Sequence, residues 1–210
     1  MKFYISWSPT LSDPPYWKWI PLDGIIISLG ALKKKGLLKH ALIRGLHEFL
    51  DFYGSIFLDS GSYGDSITGS ENKPKTVEEL LVLAEWLGVD MVAHLDTPFI
   101  GINAKIPEER KWQLLDINIL NAKITHEWEK RTKTSLQIVY VIQGWNIESV
   151  AFCAEEMAKL NARYYGLGSL AHVPSAEIER RVHLVRKIIG EKPKLHLFAV
   201  SSLNLSLIHI

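Results

Sequence analysis

Seven short apolar runs alternate with segments of helical spacing, and this alternation limits the fold more than any other feature of the 210-residue chain. The runs lie at residues 2–8, 24–29, 55–59, 90–96, 136–143, 164–168 and 195–200. Their length and their content of β-branched and aromatic residues are those of strands. After the second run, segments 31–50, 76–87, 107–131, 146–160 and 175–189 repeat apolar residues every three to four positions, as amphipathic helices do. In the first of these the repeat is Leu32, Leu38, Leu42, Leu46 and Phe49. Parallel strands need a connection long enough to hold a helix, so strand–helix alternation predicts a parallel sheet. Seven such strands in a row predict an α/β (β/α)8 barrel, truncated after about seven strands, rather than an open doubly wound sheet.

Local signals mark the ends of these segments. Thr76 with Glu79 has the spacing of a capping box, and Gly88 closes that helix. Pro107 suits a first helical turn, with Glu108 and Glu109 favouring the helix dipole. Asn146 is placed to cap the helix over 146–160, and Gly190 to close that over 175–189. Residues 9–21 hold four prolines with Trp17 and Trp19, and read as an ordered loop packed across a barrel end. Residues 65–74 read as a polar loop.

Charge and cysteine content narrow the class of function. The net charge is +1, so no global basic field announces a polyanion, and Lys33-Lys34-Lys35 reads as a solvated helix face. Cys153 is the single cysteine, which excludes a disulfide scaffold and suits a reducing, cytoplasmic setting. No apolar run has the length needed to span a bilayer, and Met1-Lys2-Phe3 lacks a signal-peptide pattern. Residues 205–210, Leu-Ser-Leu-Ile-His-Ile, are identified as one reading frame of a widely used sequencing-library adapter. They are expected to be non-native, which leaves 1–204 as one incomplete barrel domain.

Polar residues gather at the strand ends. Ser55, Phe57 and Asp59 share one face of the third run by the period of two, so Asp59 ends a buried strand. Gly61 and Gly64 then let the backbone leave the sheet. The same parity places Asp96 at the end of the fourth run, with Val92 and His94, and Gln143 at the end of the fifth, with Val139 and Val141. The sixth run passes into Gly168-Ser169-Leu170-Ala171. In a barrel these ends form the active-site face. Carboxylates accept hydrogen bonds and amides do both, so this set can read the donor edge of a planar heterocycle. Local roles also fit each residue: Asp59 and Asp96 as caps of the following turns, Gln143 as a strand-end amide. His94, one layer lower, reads as a packed histidine, and Cys153 as a core residue.

The ordered motifs resemble those of the tRNA-guanine transglycosylase superfamily. Gly45-Leu46-His47-Glu48-Phe49-Leu50 and Ile56-Phe57-Leu58-Asp59-Ser60-Gly61-Ser62-Tyr63 are similar to the family's Gly-Leu-His-Lys-Phe-Met and Ile-Leu-Thr-Asp-Ser-Gly-Gly-Phe-Gln. Leu95-Asp96-Thr97-Pro98-Phe99 resembles Phe-Asp-Glu-Cys-Thr-Pro-Tyr, shortened by two residues. Val141-Ile142-Gln143-Gly144 resembles Ile-Val-Gln-Gly, and 165–171 resembles Tyr-Ala-Ile-Gly-Gly-Leu-Ser. Ser62, Gly64 and Ser169 depart from the Gly, Gln and Gly of those motifs, and Val173-Pro174 replaces a Gly-Glu.

The resemblance implies a pentosyltransferase that exchanges guanine in a nucleic acid, tRNA or in divergent members DNA, for a 7-deazaguanine such as queuine, preQ1 or preQ0. It implies that Asp59 is the general acid/base. It places Asp96, Gln143, Gly168, Ser169 and Leu170 at the edge of the base, Tyr63 on the ring, and Ser60 and Gly61 in the motif beside them. It puts the family's nucleophile and zinc site after an eighth strand, so no cofactor or metal is expected within 1–204, and the fragment is expected to be inactive. A homodimer is compatible with it. Two other readings use the same residues: a catalytically silent subunit of this superfamily, and an unrelated barrel glycosidase with Asp59 and Asp96 as its acid/base pair.

Overall fold

The computed structural model describes residues 3–10 and 13–200. The segment over 205–210 lies outside the described residues. Seven strands form one parallel sheet in sequential order: β1 (Tyr4–Trp7), β2 (Gly24–Ser28), β3 (Ser55–Asp59), β4 (Met91–Ala93), β5 (Gln137–Ile142), β6 (Tyr164–Leu167) and β7 (Lys194–Leu197). Every neighbouring pair is parallel, and the sheet curls into an incomplete (β/α)8 barrel. The helices between them are α1 (Leu29–Lys34), α2 (Leu38–Arg44), α3 (Leu46–Leu50), α4 (Ser62–Thr68), α5 (Val77–Leu87), α6 (Glu108–Thr132), α7 (Ile147–Ala158) and α8 (Ser175–Ile189).

The strands sort their side chains by period two into two layers. Ile56 and Leu58 of β3, Val92 of β4 and Ile138, Tyr140 and Ile142 of β5 pack outward against the helices. Phe57, Met91, Ala93, Val139 and Val141 pack inside the curl. Residues that face helices on one side and the barrel interior on the other have no solvent face, which is why β2 reads as an unbroken apolar run. Although β1 and β7 are not hydrogen-bonded neighbours, the rings of Tyr4 and His196 meet edge to face at 6.3 Å. Phe57 and Phe198 approach to 5.7 Å behind them.

Three sequence expectations are corrected. Residues 31–50 are three short helices, because Gly36 and Gly45 adopt φ of +67° and +75° and turn the chain. The apolar spacing survives these breaks because Leu32, Ala41, Leu46 and Leu50 still bury one side. Residues 62–68 form α4 where a polar loop was expected from 65 onward. Tertiary bonds hold α4: Ser62 Oγ donates to the Asp96 carbonyl at 2.6 Å, and Asn103 Nδ2 to Ser66 Oγ at 3.0 Å. Gly64 therefore lies in this helix and is no hinge.

The caps follow the sequence more closely. Thr76 accepts from the Glu79 N–H at 3.1 Å, but the Glu79 carboxylate turns to the Lys75 N–H and to Lys33, so only half of that capping box forms. Asn146 forms a full one with Ser149. In the proline-rich segment, Trp17 packs on Trp7 and Phe52 and donates its indole N–H to the Leu50 carbonyl at 3.2 Å.

Candidate active site

A cavity of about 420 Å³ opens at the carboxyl ends of the strands, within the usual size of small-molecule sites. Asp59, Tyr63, Asp96, Gln143, Gly168, Ser169 and Leu170 all line it. Ser60 and Gly61 stand behind it. Ser60 is fully buried with its Oγ 2.8 Å from Ser62 Oγ, and the Gly61 N–H donates to Asp59 Oδ2 at 3.0 Å. Gly61 has φ +97°, and a Cβ there would stand 2.8 Å from the Gly30 backbone. Only glycine lets the loop after β3 press on α1 and aim Asp59 inward.

One hydrogen-bonded line runs along the cavity wall. The Phe99 N–H donates to Ser169 Oγ at 2.8 Å, Ser169 Oγ donates to Gln143 Oε1 at 2.5 Å, and Gln143 Nε2 donates to Asp96 Oδ2 at 2.5 Å. This network fixes which end of the Gln143 amide faces Asp96. Gly168 gives the amide its room, since a Cβ there would stand 2.4 Å from Gln143 Nε2. Ser169 holds φ +54°, an unfavourable conformation for a residue with a side chain. Its hydroxyl, bonded on both sides, is what the strain serves.

Asp96 arrives by a route other than the one its spacing implied. β4 ends at Ala93, Val92 faces the helices, and strict alternation from Val92 would have sent Asp96 outward. The chain leaves the sheet instead and turns Asp96 into the cavity. Its backbone carbonyl is held by Ser62 Oγ and by Lys73 Nζ at 3.3 Å, and Lys73 also reaches Thr97 Oγ1 at 2.8 Å. Asp65 sets Lys73 in place by accepting from the N–H groups of Asn72 and Lys73 at 2.9 and 2.8 Å.

Burial and then the nearby Asp96 push the Asp59 carboxyl from 3.8 up to about 7, against the Gly61 and Ser60 N–H groups that stabilise its anion. Burial raises the Asp96 carboxyl as well, opposed by the Gln143 amide and the Lys73 charge. Two acids in one cavity, Asp96 buried and Asp59 half-buried, each above its ordinary value, are what acid/base sites need. His94 has no part in this wall. Its Nδ1 accepts from the Val141 N–H at 3.0 Å while Nε2 faces the Asn118 carbonyl at 3.2 Å, so the neutral ring extends the β4–β5 ladder and ties it to α6. Burial lowers its pKa to about 4. Cys153 is a core thiol, pushed by burial up to about 12.

Comparison with known proteins decides the lineage. No family model matches the chain. It is 30% identical over 194 residues to the tRNA-guanine(15) transglycosylase of Methanopyrus kandleri, covering 89% of this chain and 39% of that protein. It is 30% identical over 158 residues to the protein of that name from Methanosphaera stadtmanae (75% and 22%), and 27% over 159 residues to that from Methanobrevibacter smithii (75% and 23%). The chain belongs to the tRNA-guanine transglycosylase superfamily.

This transglycosylase-superfamily chain spans between about a fifth and two fifths of the length of these curated relatives. Among the described residues no group of three or more His, Cys, Asp or Glu side chains could hold a metal ion. No helix among them is long and apolar enough to cross a membrane. The cavity also contains residues that sequence reasoning missed: Ser6, Ser28, Phe198 and Ala199. Ser28 was within reach, since it ends β2 directly opposite Asp59 in register. Lys73 and Ser62 had no local signal, because their roles depend on contacts with Asp96 from distant parts of the chain.

Proposed function

We propose that this barrel binds a guanine-type base and supports its exchange in a nucleic acid, tRNA first, for a 7-deazaguanine such as queuine, preQ1 or preQ0. The observation that carries the reading is the hydrogen-bonded line from Ser169 through Gln143 to Asp96 beside Asp59. These bonds leave one Asp96 oxygen as an acceptor and one Gln143 N–H as a donor. Guanine presents adjacent N–H donors and a carbonyl oxygen that match them. The Gly168–Leu170 backbone lines the flat slot, and Tyr63, half exposed at the mouth, covers the ring.

In this proposal Asp59 gives a proton to the departing guanine and takes one from the incoming base, so the proton count closes over a cycle. A carboxyl held near 7 is suited to both transfers at neutral pH. The covalent step needs a carboxylate that attacks the ribose anomeric carbon as the bond to guanine breaks. The resemblance assigns that nucleophile to a segment after an eighth strand, outside the described residues. The cytoplasm is the setting that fits a tRNA-modifying activity.

Duplex DNA is the second substrate reading, favoured by the shortened segment after Asp96. Calorimetric titration of the chain with guanine, a 7-deazaguanine and adenine tests the pocket. Guanine and the deazaguanine should bind, adenine at least about tenfold weaker, because a mismatched edge leaves buried polar groups unpaired. Equal binding of adenine, or no binding of any base, refutes the reading. Exchange of radiolabelled guanine on tRNA and duplex DNA by the protein extended to include the segment after an eighth strand then separates the two substrates. Base binding by that longer protein without exchange on either marks a silent subunit.

A further inference from the structure

We propose that the face built from α1, α2 and the exposed side of α5 docks the sugar–phosphate backbone of the nucleic acid next to the exchanged base. The proposal rests on the base-exchange reading above. Residues 24–47 contain Lys33, Lys34, Lys35, Lys39 and Arg44 and not one Asp or Glu. The chain as a whole carries +1, so five positive charges here leave −4 on the rest. The positive charge is therefore gathered on α1 and α2 and was hidden by the net charge, while α5 brings Glu78, Glu79 and Glu85 to the same face, of which Glu79 pairs with Lys33 and Glu85 accepts from Thr134 Oγ1.

The face begins at the cavity. Ala31 lines the mouth, and Lys34 and Lys35 follow three and four residues later, on the same side of the chain. Lys34, Lys35, Lys39 and His40 are exposed. Lys33 is paired with Glu79 at 2.8 Å and Arg44 with Glu48 at 3.1 Å, but no ion pair involves Lys34, Lys35 or Lys39 among the described residues. Helix stability accounts for Lys33 and Lys34, which end α1 where cations are favoured. It does not account for Lys39, which stands in the first turn of α2, where a cation opposes the helix dipole.

A groove runs between these helices and α5, bounded by Lys33, Lys39, Ile43 and Trp86. Trp86 is 68% exposed and Ile43 73% exposed. Lysines that track a backbone beside an uncovered indole on which a base can stack are the recurring form of a single-strand binding surface. An enzyme that exchanges a base must hold the strand on either side of it, so the flanking nucleotides are the occupant this face fits.

Fluorescence anisotropy of a labelled tRNA transcript, across a salt series, tests the proposal. A Lys34→Glu/Lys35→Glu/Lys39→Glu variant should lose at least about tenfold in affinity near 0.1 M salt, and its log–log salt slope should fall by about two to three, close to one per phosphate contact. A control reversing Lys130, Lys187 and Lys192 should bind like the intact chain. Trp86→Ala should weaken binding severalfold with the salt slope unchanged. Titration of both triple variants with guanine separates this surface from the pocket: intact base binding with lost tRNA binding supports the docking face by itself. No tRNA binding by the intact chain overturns the proposal, as does equal loss in the two triple variants. Binding of phosphatidylserine vesicles in place of tRNA, abolished by the first triple variant, would assign the face to a lipid surface instead.

Discussion

Replacing Asp59 by Asn should make the protein more stable at pH 8 while removing its acid/base group. The fold holds this carboxyl at about 7 against an ordinary 3.8. An acid whose folded-state pKa is raised binds its proton more tightly in the fold than in the unfolded chain. Its contribution to stability is therefore fully present below about 3.8 and is lost as pH rises through about 7. The displacement is about three pH units, each worth about 1.4 kcal/mol, which sets a ceiling of about 4 kcal/mol. The side chain is half-buried in an open cavity rather than sealed, so screening reduces the effect to roughly 2 kcal/mol. Asn has the same shape, can still accept from the Gly61 N–H, and carries no charge to desolvate. Urea unfolding followed by tryptophan fluorescence at pH 4, 6 and 8 measures the difference between Asp59→Asn and the intact chain. The two should agree at pH 4, and the variant should gain roughly 2 kcal/mol at pH 8. Exchange activity of the protein extended to include the nucleophile should fall by a factor on the order of 10²–10⁴. A variant less stable than the intact chain at pH 8, or a difference independent of pH, refutes the claim that burial and Asp96 raise Asp59.

Other perturbations probe the surrounding structure. Gly168→Ala places a methyl group 2.4 Å from Gln143 Nε2 and should push the amide off Asp96, weakening guanine binding about tenfold or more by titration. Ser169→Gly relieves a strained φ but frees both Gln143 and the Phe99 N–H, so the urea midpoint should move little while discrimination of guanine from adenine falls. His94→Phe leaves the Val141 N–H unpaired in the core and should cost about 1–3 kcal/mol. Relative to the variant, the intact chain should lose stability as pH falls from about 6.5 to about 4, as His94 resists protonation. Over that range His94 and Asp59 act with opposite sign, so each shows only in its own difference curve. Thr76→Ala removes the bond to the Glu79 N–H at the start of α5 and should lower stability by about 1 kcal/mol in the same urea assay.

Much of the barrel was legible because its elements are written in short-range pattern. β3 at Ser55–Asp59 and α8 at Ser175–Ile189 stand where the period of two, the helical spacing and the closing glycine put them. Asp59 and Gln143 reach the cavity by the parity of their strands, since a side chain's face is set by its place in a pleat. The sequence alone thus determined the parallel sheet, the rim on which polar residues collect and the lineage of the chain. Tertiary structure decided what depends on distant partners. It broke 31–50 at Gly36 and Gly45, made a helix of 62–68 through bonds to Asp96 and Asn103, and ended β4 early enough to turn Asp96 into the cavity. It also decided the charges: the raised Asp59 carboxyl and the lowered His94 ring follow from burial and from neighbours far along the chain. Local pattern carries backbone periodicity, which a few adjacent residues specify. Hydrogen-bond partners and desolvation arise only when the chain closes on itself.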